Sequence, residues 1–155
     1  MNNALAFALP LILLCLQSPA STLQDVDNVV INKFISSQAS RERGAEYEDA
    51  RKVVAGDLNH DGTPDVAVLY TIEGQDGTNN HVQYLAVFAR VKGRLIHVAH
   101  TVVGSKTYRS VELETIRNNA IIIKTLNYGA YDAACCPSKA GSARYTLVKG
   151  KLKQM

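Results

Sequence analysis

The spacing of apolar residues changes along the chain from a helical period to a strand period. Between residues 23 and 37, apolar side chains recur at intervals of three and four, which is typical of one face of a helix. Residues 38–50 are polar and charged, and we interpret them as a connection with at most one further helical turn. The stripe predicted to face the core consists of Leu23, Val26, Val29, Val30, Phe34 and Ser37.

From residue 52 onward the pattern is that of strands joined by short turns. Turns such as Lys92-Gly93 and Lys149-Gly150 join neighbouring runs, which indicates antiparallel pairing. Residues 121–123 are apolar on both faces, which favours a curved or partly closed sheet. The expected fold is mainly β (α+β), an antiparallel meander sheet with one N-terminal helix. The predicted strands span residues 52–56, 65–72, 81–91, 94–103, 110–116, 120–126, 144–148 and 151–154.

The first twenty residues form a segment without charged side chains. The apolar run over residues 4–16 is shorter than the roughly 20 residues that a membrane-spanning helix needs. Small residues at Ser18 and Ala20 suit a cleavage site, so we predict a signal peptide over residues 1–20 and one domain over residues 21–155. We therefore expect a periplasmic or secreted protein that has no membrane span after cleavage. An uncleaved anchor is the alternative.

Charge is distributed unevenly. The net charge of +3 is too small to argue for a nucleic-acid partner. Residues 46–76 carry eight acidic and two basic side chains, whereas residues 77–155 carry twelve basic and three acidic side chains. The basic part could steer the protein towards an anionic polymer or an acidic cleft. The alternative is that these charges only solvate strand ends and turns.

The clearest chemical motif lies between the first two predicted strands. Residues 57–65 read D-x-N-x-D-G-x-x-D, with oxygen-bearing side chains at alternating positions and Gly62 at the sharp turn. Ca²⁺ takes six to eight oxygen ligands, and this pattern can wrap several oxygens around one point. The alternative is a polar turn whose side chains bond their own backbone. The predicted calcium ligands are Asp57, Asn59, Asp61, the backbone carbonyl of Thr63, and Asp65.

This loop differs from that of a helix–loop–helix calcium sensor. Position 12 of such a sensor is a bidentate Glu, whereas here it is Val68 in an apolar strand. We therefore expect the ion to stabilise the fold by holding two strands in register, with Asp65 closing the site.

The segment over residues 127–141 is predicted to be a long loop that contains adjacent cysteines. Cys135 and Cys136 can form a strained vicinal bridge, pair with another chain, or remain thiols. A structural kink fixed by Pro137 is favoured, and a redox role is the alternative. Long loops without regular structure are usually either functional or disordered. On the functional interpretation, Tyr128 and Tyr131 are the predicted partner-binding residues.

No catalytic constellation is evident from the sequence. His97 and His100 are three apart in one predicted strand, so regular alternation predicts that they face opposite sides. We interpret them as surface or edge histidines rather than as a metal-binding pair. The protein is accordingly expected not to be an enzyme.

Two resemblances rest on these motifs. Residues 53–68 resemble the calcium loops of FG-GAP and VCBS-type repeats, in which such a loop joins two strands. The order of calcium loop, Cys135-Cys136-Pro137-Ser138 and final hairpin resembles a group of uncharacterised exported bacterial proteins. A looser likeness is to periplasmic lysozyme inhibitors and immunity proteins.

Together these patterns predict a calcium-stabilised, non-enzymatic binding protein of the cell envelope. Its partner would be an envelope protein or a cell-wall hydrolase. One alternative function is inhibition of, or immunity to, a lysozyme-like peptidoglycan hydrolase. Another is a thiol- or disulfide-dependent activity of Cys135 and Cys136.

Overall fold

A computed structural model describes residue 23 and residues 25–155 of the chain. The predicted signal peptide over residues 1–20 lies outside the described residues. The elements are helix α1 (Asp25–Arg41), strands β1 (Ala45–Glu46), β2 (Lys52–Gly56), β3 (Asp65–Glu73), β4 (His81–Val91), β5 (Arg94–Ser105), β6 (Arg109–Arg117), β7 (Ala120–Asn127), β8 (Lys139–Val148) and β9 (Lys151–Gln154), and two 3₁₀ turns (Glu48–Ala50 and Gln75–Gly77).

The nine strands form one antiparallel sheet in the order β1-β3-β4-β5-β6-β7-β8-β9. β2 also pairs with β3, beside β1 on the same edge. β5 and β6 pair only at Ser105 and Arg109 and then diverge, so the sheet curves without closing. The predicted fold class, a curved antiparallel sheet with one N-terminal helix, is confirmed.

Tight hairpins account for the meander. Positive φ angles occur at both central residues of the turns Lys92-Gly93, Asn118-Asn119 and Lys149-Gly150. Two-residue turns of this type match the twist of the flanking strands and therefore connect antiparallel neighbours directly. These local signals are why the strand order follows the sequence order over most of the sheet.

Two hydrophobic clusters lie on the two faces of the central strands. Ala67 and Leu69 of β3 belong to the cluster enclosed by the curved sheet, which also contains side chains of β6, β7 and β8. Val68 and Tyr70 belong to the cluster between the sheet and α1. Because both faces are covered, β3 is buried from its first residue to Ile72.

The buried face of α1 differs from the predicted stripe. The fully buried residues are Asp27, Ile31, Ile35 and Ala39, whereas Val26 and Val29 are 62% and 66% exposed. The prediction was wrong for Val26, Val29 and Ser37, whereas the other three predicted residues, Leu23, Val30 and Phe34, do pack against the cluster beneath the helix. Asp27, a charged residue, lies on the core side, where it is paired with Arg90 of β4. This pairing offsets the cost of burying a charged group.

Among residues 23 and 25–155, no helix is both long and apolar enough to cross a membrane.

Candidate functional site

The predicted metal loop joins β2 to β3, whose ends pair directly at Gly56 and Asp65. A Cβ added to Gly56 would lie 2.7 Å from the Cβ atom of Ile116, so the absence of a side chain lets β2 approach β6 closely. Gly62 has a φ of +77°, in the left-handed region that favours glycine. The loop therefore leaves a packed strand end and reverses at the position that the motif predicts.

Asp57 organises the first half of the loop. Its Oδ1 accepts hydrogen bonds from the backbone N–H groups of Asn59 at 3.1 Å and His60 at 2.7 Å. Its Oδ2 accepts from the N–H of Gly62 at 3.0 Å. Desolvation acts to raise the pKa of Asp57, but these three hydrogen bonds outweigh it, so the pKa lies below its usual value. The carboxylate is therefore held in its charged form.

Asn59 and Asp61 continue the same arrangement. Asn59 Oδ1 accepts from the N–H of Asp61 at 2.9 Å, and Asp61 Oδ1 accepts from the N–H of Thr63 at 2.7 Å. Asn59 Nδ2 also donates to Asp61 Oδ2 at 2.9 Å. The side-chain oxygens at alternating positions thus accept hydrogen bonds from the backbone of the loop itself, and Thr63 contributes its backbone N–H as a donor.

Asp65 lies at the base of the loop and is only 1% exposed. Its Oδ2 accepts from the N–H of Leu58 at 3.2 Å, and its Oδ1 accepts from the N–H of Arg90 at 3.0 Å. Burial raises the pKa of Asp65, and repulsion from Asp61 and Asp57 adds to that rise, while the two hydrogen bonds oppose it. The residue therefore ties the loop to β4.

The donor set consists of oxygen atoms, which suits a hard cation such as Ca²⁺. Each carboxylate oxygen that accepts one N–H bond retains a further lone pair for a metal. In the arrangement described, however, no three Asp, Glu, His or Cys side chains within residues 23 and 25–155 converge as a metal cluster. Hydrogen bonds to the backbone, rather than a shared central point, orient these oxygens.

The loop that carries the cysteines is shorter than predicted. Residues 139–142 pair with β7, so the connection spans residues 128–138 rather than 127–141. Asp132 clasps it, because its carboxylate accepts from the N–H of Gly129 at 2.7 Å and from the N–H and hydroxyl of Ser138 at 2.8 Å each. The bond from Gly129 and those from Ser138 lower the pKa of Asp132.

The two predicted contact tyrosines have different surroundings. The hydroxyl of Tyr128 lies 2.5 Å from the carbonyl of Lys106 and 2.7 Å from that of Ala134, so it anchors the loop to the β5–β6 turn. Tyr131 is fully exposed at the loop surface. The structure therefore separates an anchoring tyrosine from one that presents its whole ring to solvent.

Cys135 and Cys136 lie in the same loop, with their sulfur atoms at disulfide-bonding distance from each other. Both residues are exposed. The N–H of Cys136 donates to the carbonyl of Ala133 at 2.9 Å, which fixes the turn that holds the pair. The pair is therefore both constrained by the backbone and accessible from solvent.

The sequence did not predict a cluster of aromatic and histidine side chains beneath α1. The prediction that His97 and His100 face opposite sides was wrong, since their ring centroids are 5.2 Å apart. Phe34 of α1 stacks on His97 with centroids 4.0 Å apart and meets His100 at 5.4 Å. Burial, as the largest cause, lowers the pKa values of both histidines.

A β-bulge brings the two histidines together. His97 pairs with Phe88 and Ala99 pairs with Val87, which leaves Val98 as an extra residue on β5. The extra residue changes the parity of the alternation, so His97 and His100 both face α1. Nothing in the local sequence predicts this, because the bulge is defined only by the register against β4.

Compared with protein-family models, curated proteins and solved structures, the chain shows no significant match.

Proposed function

We propose that this chain is an exported, calcium-stabilised, non-enzymatic binding protein of the cell envelope. The observation that carries the proposal is the loop over residues 128–138, where a fixed backbone presents a fully exposed Tyr131. A large aromatic side chain on a preorganised loop gains contact area while losing little conformational entropy on binding. Such an arrangement suits recognition of a protein surface.

The proposed calcium ligands are Asp57, Asn59, Asp61, the carbonyl of Thr63, and Asp65. Support comes from their placement on one connection between the paired ends of β2 and β3. Mutual repulsion between the carboxylates contributes to the raised pKa of Asp65. A bound cation would offset that repulsion and hold the two strands in register.

Export is proposed from the charge-free leader pattern over residues 1–20. The exposed cysteine pair agrees with this location, because disulfides persist in oxidising compartments.

The experiment is affinity capture from a cell-envelope extract, with the purified protein immobilised in calcium or in chelator. We expect a partner that is retained in calcium, reduced by Tyr131→Ala, and retained by the matched surface variant Tyr108→Ala. Tyr108 is also an exposed tyrosine but lies in the β5–β6 turn. Equal recovery with the wild-type protein and Tyr131→Ala would contradict the recognition role of the loop.

A second candidate is inhibition of a lysozyme-like peptidoglycan hydrolase. It is favoured by the exposed Lys139 directly after the loop, since glycoside hydrolases carry paired carboxylates in their clefts. Addition of the protein would then slow hydrolysis of peptidoglycan, and Lys139→Glu would restore the rate. An unchanged rate with wild-type protein would exclude this candidate for the hydrolase used.

A further inference from the structure

A groove runs between α1 and β5, away from both the metal loop and the cysteine loop. Val29, Val30 and Phe34 supply apolar walls from α1, and His97 and His100 line the β5 side. Its volume is about 730 Å³, within the roughly 300–1,000 Å³ typical of small-molecule sites. The groove is therefore large enough to hold a small ligand.

The ionisable groups that line the groove are basic or neutral. Lys33 and Arg41 lie one on each side of Ser37 along α1, and both are exposed. Arg41 donates to Gln38 at 2.7 Å, but neither cation pairs with a carboxylate in the part of the chain that the structure describes. Glu42, which follows Arg41 in the sequence, does not line the groove, and its carboxylate accepts a hydrogen bond from the side chain of Gln38.

The inner wall contains an unsatisfied polar atom. The Nε2 atom of His97 is buried and has no hydrogen-bond partner among the described residues. A buried polar group without a hydrogen-bond partner is unfavourable. His97 and His100 both line the groove, with their ring centroids 5.2 Å apart, and His100 is the more exposed of the two.

The bulge at Val98 is what creates this arrangement. Bulges re-aim side chains, and without this one a histidine would point into the opposite face of the sheet. The same groove is lined by Val29, which is 66% exposed. Apolar exposure beside a cationic rim is a feature of sites for amphipathic ligands.

We infer that the groove between α1 and β5 binds an amphipathic monoanion, namely a carboxylate attached to an apolar hydrocarbon body. The hydrocarbon lies along Val29, Val30 and Phe34. The carboxylate lies between Lys33, Arg41 and the two histidines. This site is independent of the calcium loop and of Tyr131, so it stands or falls separately from the proposed function.

The test compares three ligands that each contain an unbranched chain of eight carbon atoms, by titration calorimetry on the purified full chain: octanoate, octan-1-ol and octyltrimethylammonium. We expect one saturable site. Its affinity should be highest for octanoate, lower for octan-1-ol and lowest for octyltrimethylammonium. The double variant Lys33→Gln/Arg41→Gln should weaken octanoate binding about tenfold, because it removes both positive charges that line the groove. The matched control Lys52→Gln/Arg94→Gln removes two exposed charges elsewhere and should leave binding unchanged.

Nuclear magnetic resonance gives a second readout that does not depend on the variants. Octanoate should shift the imidazole signals of His97 and His100 and leave those of His60 and His81 in place. If octyltrimethylammonium bound as tightly as octanoate, the groove would recognise only the hydrocarbon chain, and the inference would be overturned. No saturable binding, unchanged affinity in Lys33→Gln/Arg41→Gln, or self-association through this face would overturn it as well.

Discussion

Arg90 of β4 forms a two-pronged ion pair with Asp27 of α1. Arg90 Nη2 lies 2.7 Å from Asp27 Oδ2, and Arg90 Nη1 lies 3.2 Å from Asp27 Oδ1. The same residue donates its backbone N–H to Asp65, and the pair with Asp27 is the largest cause of its raised pKa. One arginine therefore connects the helix, the central sheet and the base of the candidate metal loop.

Arg90→Met should destabilise the protein by about 3 kcal/mol, because it leaves the buried carboxylate of Asp27 without this partner. Urea unfolding followed by circular dichroism measures the change. Arg94→Met is the matched control, since Arg94 is exposed at the start of β5. The double variant Asp27→Leu/Arg90→Met should recover part of the loss, and equal stability of Arg90→Met and wild type would contradict the role of the pair.

Calcium should raise the melting temperature of the wild-type protein at millimolar concentration, since a ligand that binds only the folded state stabilises it. Asp61→Ala should abolish that shift because it removes a central oxygen ligand. Asp49→Ala removes an exposed carboxylate outside the loop and should keep the shift. Differential scanning fluorimetry with and without chelator makes the comparison. A wild-type protein insensitive to calcium would eliminate the metal role of the loop.

The intact mass of the purified protein should be lower by two hydrogen atoms than the mass expected for free thiols at Cys135 and Cys136. Alkylation should label these residues only after reduction. Cys136→Ser provides the control, because it leaves Cys135 without its neighbour. Alkylation before reduction would show free thiols, and a reducible dimer would show pairing between chains. Rapid exchange with added dithiol would favour the thiol-dependent alternative.

Stability should fall as the pH drops from above 6.5 through the lowered pKa values of His97 and His100. Folding disfavours their charged forms, so the unfolded chain binds more protons in this window. Burial is the largest cause for both rings; His100 and Arg41 also oppose protonation of His97, against a hydrogen bond with the backbone of Ala99 that favours it. Arg41 likewise opposes protonation of His100, whereas Glu42 favours it. Urea midpoints between pH 8 and pH 5 measure the slope, which His97→Leu should reduce. His81→Leu, outside this cluster, should keep the slope, and a wild-type slope in His97→Leu would reject the assignment.

Local sequence patterns predicted most of the strands and the connections between them. Strands 52–56, 81–91 and 151–154 have the predicted bounds, since alternation and turn residues are local properties. The motif over residues 57–65 likewise predicted a loop with Gly62 at its sharp turn, where the structure has a φ of +77°. Whether that loop holds calcium stays a prediction, because its oxygens are engaged by the backbone in the arrangement described.

Tertiary contacts decided which faces of these elements are used. Asp27 lies on the buried face of α1 because Arg90, 63 residues away, pairs with it. His97 and His100 share a face because β4 forces a bulge at Val98, and Tyr128 is an anchor because its hydroxyl reaches Lys106. The sequence by itself determined the strands, the turns and the oxygen-rich loop. The tertiary structure alone decided the helix orientation and the groove, since both depend on partners that are distant along the chain.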